Sequence, residues 1–291
     1  HCHTRRQRQM CIRDSPSPGS RNTAFSSNAP PNIRKVKHFP KVPSSEDPVV
    51  ISAKVTDLDG VGSVTLEYCV VSAGSYVPAK LPHPVPNIPV NSPQLENPKY
   101  EEGWVSVLMN DKGEGGDLQA RDDVYSVTLP VNKHRTLVRY RIIVEDVVGK
   151  RARAPFSDDP SLNFAYFTYN GIPSYEGEGA SALESLPVYH LLTRQNDYAD
   201  CFAYNGSKQI SQGTQARFYY NWHGTMFYDG IVYDNIRYRL RGANGRYHNR
   251  GKRSMRLRFN NGSYFQSRDY TGKKYPRAVS YTHLTLPTSV T

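Results

Sequence analysis

The chain has 291 residues, of which 37% are apolar and 11% aromatic, enough to bury the cores of two ordinary domains. Its net charge of +11 is local: residues 231–278 hold thirteen Lys or Arg against two Asp, and the stretch 16–230 is net acidic. That asymmetry argues for one anion-binding region and against a surface that coats nucleic acid generally. No apolar run approaches the length of a membrane span, and Cys69 and Cys201 are too far apart for a disulfide framework or metal knuckle.

The two ends of the chain mirror each other at the codon level. Met10-Cys-Ile-Arg-Asp-Ser15 back-translates to a segment whose reverse complement reads Val279-Ser-Tyr-Thr-His283. The flanks obey the same relation, Arg5 to Gln9 matching Leu284 to Thr288. Ten consecutive codons do not agree by chance. The inverted segment resembles a transposase-based sequencing adaptor translated in frame, so residues 1–15 and 279–291 are set aside from fold reasoning. The genuine chain is then 16–278, expected to be an internal fragment of something longer.

Residues 16–31 are rich in Ser, Pro and Asn and read as linker. From 32 to 170, short alternating segments follow one another. They are Val49/Ile51/Ala53/Val55, Val64/Leu66/Tyr68/Val70 and Val105/Val107/Met109, then Tyr125/Val127/Leu129, Val138/Tyr140/Ile142/Val144 and Phe164/Tyr166. Turn signals at Asp57-Leu-Asp-Gly60, Asn110-Asp-Lys-Gly113 and Gly149 separate them. Six or seven strands at this spacing predict an antiparallel β-sandwich of immunoglobulin or fibronectin type III kind. Tyr76 to Pro98 carries seven prolines and is expected to be a long inserted loop. Residues 171–185 read as a second linker.

The second region, 186–278, opens with a strand expected over Leu186 to Leu192. Further strands are expected over Arg217 to His223 and Gly230 to Tyr233. Ile236-Arg-Tyr-Arg-Leu-Arg241 then alternates strictly, with Arg237, Arg239 and Arg241 on one face. Ser254-Met-Arg-Leu-Arg-Phe259 does the same with Arg256 and Arg258. Period-two alternation predicts two half-buried strands. Paired, they set like charges opposite each other, which is tolerable only in open water or against something anionic. The connection Gly242 to Arg253 is Gly-rich and basic, a pattern that wraps phosphate with backbone N–H groups or forms a solvated hairpin tip. It is not a Walker A loop: five residues separate Gly245 from Gly251, and Arg253 stands where Ser or Thr is needed. Nucleic-acid binding is disfavoured because Tyr238 and Phe259 point away from the arginine face and offer no stacking platform.

One acidic loop carries Asp111, Glu114, Asp117, Asp122 and Asp123, dense enough in oxygen ligands for calcium at Asp111, Asp117, Asp122 and Asp123, or else a plain acidic turn. His190, His223 and His248 show no metal spacing. Neither a G-x-S-x-G elbow nor the H-R-D and D-F-G motifs of conventional kinases occur in 16–278.

Four features in order resemble the opening of a CotH kinase family domain, an atypical kinase named for a spore-coat protein. They are Leu186-Pro-Val-Tyr189, Gly230-Ile-Val-Tyr-Asp-Asn-Ile236, Tyr238-Arg-Leu-Arg-Gly-Ala-Asn244 and Gly251-Lys-Arg-Ser-Met-Arg-Leu-Arg-Phe259. Secreted bacterial members often carry an immunoglobulin-like module upstream, the place of residues 32–170. The resemblance implies a mainly β fragment: a sandwich, then the truncated β-rich start of an α+β kinase-like domain. It implies secretion or surface display, ATP with Mg2+ as cofactors, and an acidic or Ser/Thr-containing protein substrate. Arg239, Arg241, Gly242, Asn244 and Lys252 are the implied nucleotide contacts. The catalytic acids are expected downstream of Arg277, which leaves this fragment inactive alone. The rival reading is a surface adhesion or polysaccharide-binding protein with an inert kinase-like region.

Overall fold

The computed structural model describes residues 28–83, 95–172, 177, 187–203, 222–240, 253–269, 271–278 and 280–286. The protein is mainly β, and every strand pair among the described residues is antiparallel. In the first region the strands are β1 (Asn32–Phe39), β2 (Val49–Thr56), β3 (Val61–Val71), β4 (Lys80–Leu81) and β5 (Leu95–Glu96). They continue with β6 (Val105–Leu108), β7 (Val124–Leu129), β8 (Thr136–Asp146), β9 (Arg151–Ala154) and β10 (Phe164–Thr168).

Two sheets pack face to face. One is ordered β1-β2-β7; the other is β10-β8-β3-β6, with β9 paired to β8. The alternation explains the contact. Val49, Ile51, Ala53 and Val55 on β2 are at most 1% exposed and meet Val64 and Leu66 of β3 and Val138, Tyr140, Ile142 and Val144 of β8. Burying such side chains contributes roughly 1.5–3 kcal/mol each. The turn signals act as expected: in the β2–β3 turn the Asp59 N–H donates to Asp57 Oδ1 at 2.9 Å, and Gly60 takes φ +105.

The proline-rich segment is more than a loop. It carries the β4–β5 hairpin and a 3₁₀ turn over Pro98–Glu101, and Asn97 ties the two by donating to the Pro78 carbonyl at 2.7 Å. It lays Tyr76, Tyr100 and Trp104 over the outer face of β8. Arg139 sits between the Tyr76 and Tyr100 rings, 5.0 Å from each centroid, and Arg141 lies 3.7 Å from the Trp104 centroid. Arg141 also pairs with Glu67 at 3.1 Å and Glu101 at 2.6 Å.

The second region forms one sheet ordered β11-β12-β13-β14-β15. Its strands are β11 (His190–Leu192), β12 (Trp222–Tyr228), β13 (Ile231–Leu240), β14 (Arg253–Arg258) and β15 (Ser280–Leu286). A helix, α1 (Gln195–Ala203), packs Tyr198, Cys201 and Phe202 against it. The strands expected separately at Gly230–Tyr233 and Ile236–Arg241 join in the single strand β13, which begins after Gly230; Arg241 lies outside the described residues. Of the strand expected at Arg217–His223, residues 217–221 lie outside the described residues. Most of the expected linkers at 16–31 and 171–185 lie outside them as well. β15 falls in the stretch that the codon relation assigns to adaptor. An extended, β-branched segment pairs with an open strand edge whatever its origin, because the edge offers unpaired N–H and C=O groups.

The two regions share a core. Val71, Tyr76, Leu137 and Phe167 of the first cluster with Phe227 of the second, and the Phe167 and Phe227 rings lie 4.8 Å apart. The boundary read from sequence is therefore crossed by packed side chains.

Candidate functional site

The arginine strands pair as their alternation requires. Arg237 stands opposite Arg258 and Arg239 opposite Arg256, while Tyr238 opposes Leu257 and Leu240 opposes Met255. Tyr238, Leu240, Met255, Leu257 and Phe259 are all within 3% of full burial and form the second core with Trp222 and Phe265. That apolar face fixes the register, since a one-residue slip would turn every arginine inward. Four guanidinium groups consequently share the other face. They are not equally open: Arg258 is exposed, Arg237 and Arg256 are half-buried, and Arg239 is 8% exposed with its Nη1 donating to the Leu240 carbonyl at 3.2 Å. Arg241, Gly242, Asn244 and Lys252 lie outside the described residues.

His223 lies on this face. It sits opposite Arg237 across β12 and β13, is 4% exposed, and has its Nδ1 3.2 Å from Asn235 Oδ1. Burial first, then the positive charges of Arg237 and Lys80, push its pKa down to about 4 against the opposing effect of Asn235.

A β-bulge separates the ladder from the junction. Between Gly224↔Ile236 and Met226↔Tyr233, the single residue Thr225 faces both Asp234 and Asn235, and Asn235 takes φ +52. The extra residue switches the phase of the strand. Ile231 and Tyr233 before it, and Ile236, Tyr238 and Leu240 after it, all reach the same core. The bulge thereby aims Asp234 across the boundary at Arg139.

There Asp234 Oδ1 accepts from Arg139 Nε at 3.2 Å, Arg139 Nη2 at 3.1 Å and Thr225 Oγ1 at 2.5 Å. Arg139 Nη1 donates to the Val77 carbonyl at 2.8 Å, and the Tyr76 and Thr225 hydroxyls lie 2.9 Å apart. Asn163 Nδ2 bonds the Tyr100 hydroxyl and reaches Asp234 Oδ2 at 3.5 Å. Burial weakens a cation, yet Asp234 and the two tyrosines hold the Arg139 guanidinium above its ordinary pKa. Burial drives Tyr76 up to about 12, with Asp234 adding to it, so Tyr76 stays a neutral hydroxyl. This junction was not foreseen. The signal was present in the shift from odd to even apolar positions between Tyr233 and Ile236, which is how a bulge reads.

In the acidic loop the structure brings carboxylate oxygens of Asp111, Asp117 and Asp122 within 4.8 Å of one another. Asp123 does not join them; its carboxylate lies 3.8 Å from Lys54. The triad also braces its own loop. Asp111 accepts from the Asp122 and Asp123 N–H groups at 3.2 and 3.0 Å, and Asp117 accepts from the Gly113 N–H at 2.7 Å. The oxygen chemistry fits a hard cation, although part of each lone-pair set already serves the backbone.

Among the described residues no helix is long and apolar enough to cross a membrane. No protein-family model matches the chain, and no curated protein matches it either.

Proposed function

We propose that the chain carries the phosphate-binding β-sheet of a CotH-like atypical Ser/Thr protein kinase, secreted or surface-displayed, behind an immunoglobulin-like module. The observation that carries the reading is the cross-strand pairing of Arg237 with Arg258 and Arg239 with Arg256. Four guanidinium groups on one face of two paired strands concentrate positive charge, and a nucleotide polyphosphate is a ligand whose charge and geometry suit guanidinium forks. Phosphoryl transfer needs such cations on the phosphates, and acids to hold Mg2+ and orient the hydroxyl. The strand order β1-β2-β7 against β10-β8-β3-β6 supports the immunoglobulin-like reading, two antiparallel sheets over one core.

Calorimetry with MgATP tests the arginine site. Arg256→Ala and Arg258→Ala, which remove cations without opening the core, are expected to weaken binding about tenfold each. Affinity unchanged in both variants would refute the assignment. In the same reading Asp111, Asp117 and Asp122 hold Ca2+. Added calcium is expected to raise the melting temperature of the wild type and leave Asp111→Asn/Asp122→Asn unmoved; equal response of both would show an acidic turn only.

A further inference from the structure

A cleft of about 540 Å³ opens along the seam between the two regions, distinct from the arginine ladder. Its size falls within the roughly 300–1,000 Å³ typical of small-molecule sites, and seams between domains are where such sites concentrate. Its walls are of three kinds. Lys37 and Lys41 supply positive charge, and neither forms an ion pair among the described residues. Ser161, Asn261 and Ser263 supply hydroxyl and amide groups; Phe164 and Val232 supply an apolar patch.

Of the two carboxylates in the lining, Asp234 is neutralised by an ion pair, while Asp159 keeps its charge and leaves the wall net positive by one against Lys37 and Lys41. Asp234 is held by Arg139, and Asp159 accepts the Ser161 N–H at 2.8 Å. His38 bridges the Tyr140 hydroxyl at 3.0 Å and the Lys41 carbonyl at 3.3 Å, and burial, then the Lys41 charge, outweighs that carbonyl contact and favours its neutral form. The cations are positioned by local structure. A bulge in β1 between Arg34 and Lys37, with Lys35 at φ +50, shifts the strand's phase so that Val36 packs on the core and Lys37 reaches the cleft. Asn163, 5% exposed and also in the wall, keeps a buried amide oxygen with no hydrogen-bond partner. An unsatisfied buried acceptor in a cleft-lining residue is costly and calls for a donor, which a ligand hydroxyl can supply.

We propose that this cleft binds an acidic sugar, a hydroxyl-rich ring with one carboxylate or phosphate group. The ring's C–H face meets Phe164 and Val232, its hydroxyls meet Ser161, Asn261 and Ser263, and its anionic group meets Lys37 and Lys41. The inference is independent of the nucleotide reading.

Titration of the full chain by calorimetry with galacturonate, glucose 6-phosphate, cellobiose and MgATP tests it. One of the two acidic sugars is expected to bind, and which one binds tells carboxylate from phosphate. Neutral cellobiose is expected to bind at least about tenfold more weakly. Lys37→Gln/Lys41→Gln, exposed changes that leave the core intact, is expected to weaken the acidic sugar about tenfold and leave MgATP affinity unchanged. Three results overturn the proposal: no binding of either acidic sugar up to ~10 mM, equal binding of cellobiose, or full affinity in the double variant. The first would make the space a hydrated seam; the other two would show that Lys37 and Lys41 do not select the ligand.

Discussion

Asp234→Ala is expected to destabilise the protein by about 3–5 kcal/mol in urea unfolding, among the largest effects of any single polar substitution in this chain. The carboxylate accepts two bonds from Arg139 and one from Thr225, and both ionic partners are 3% exposed. Removing it strands a buried guanidinium cation between two aromatic rings without its counter-charge. The cost is that of the uncompensated charge rather than the worth of the pair. Arg139→Met/Asp234→Leu is therefore expected to recover most of the loss, since an apolar pair of similar size is often neutral or better. A second consequence concerns cooperativity. Trp104 lies in the first region and Trp222 in the second, so fluorescence of single-tryptophan variants follows each half. The shared core and the buried pair predict one coincident transition, which Asp234→Ala splits into two. A loss below about 1 kcal/mol, or separate transitions already in the wild type, would show that the junction does not couple the halves.

The second large effect is acid destabilisation through buried histidine. His223, at 4% exposure, has its pKa pushed down to about 4 in the folded protein, against 6.5 when unfolded. Between those values the unfolded chain takes up a proton that the folded one refuses. Stability is therefore complete above pH 6.5 and falls as the pH drops toward 4, by about 3 kcal/mol from this residue. His190 shifts in the same direction, to about 4, because burial and the charges of Arg135 and His134 disfavour its cation. His223→Gln is expected to flatten the slope over this window, measured by urea midpoints at intervals from pH 7 to 4. An unchanged slope would place the acid sensitivity elsewhere.

Much of the fold was legible because alternation directly encodes which face of a strand is buried. The alternating runs in the first region became strands, except that Met109 falls past the end of β6 and Val70 and Val105 are exposed, and the apolar partners of the arginines became the second core. What was illegible depended on contacts distant in sequence. Arg139 and Arg141 occupy the outward positions of β8, which sequence alone reads as solvated. They are 2% and 5% exposed because Tyr76, from the segment that proline content marks as loop, and Tyr100 and Trp104, just beyond its end, fold back over them. The helix Gln195–Ala203 was missed for another reason. Tyr198, Cys201 and Phe202 mark its buried face, but two turns are too short to reveal a period. Of the candidate site, Arg239 was correctly placed on the polar face, yet its burial beside Leu240 could not be read from alternation, which predicts faces and not what covers them.

Photo-crosslinking tests the claim that the arginine ladder binds a polyphosphate most directly. The full chain is irradiated with a γ-phosphate-linked azido analogue of ATP, and the labelled peptide is located by mass spectrometry. Label confined to residues 231–258 and lost on competition with unmodified ATP is the expected result. Label spread over other lysine-rich surfaces, or undiminished by ATP, would contradict it.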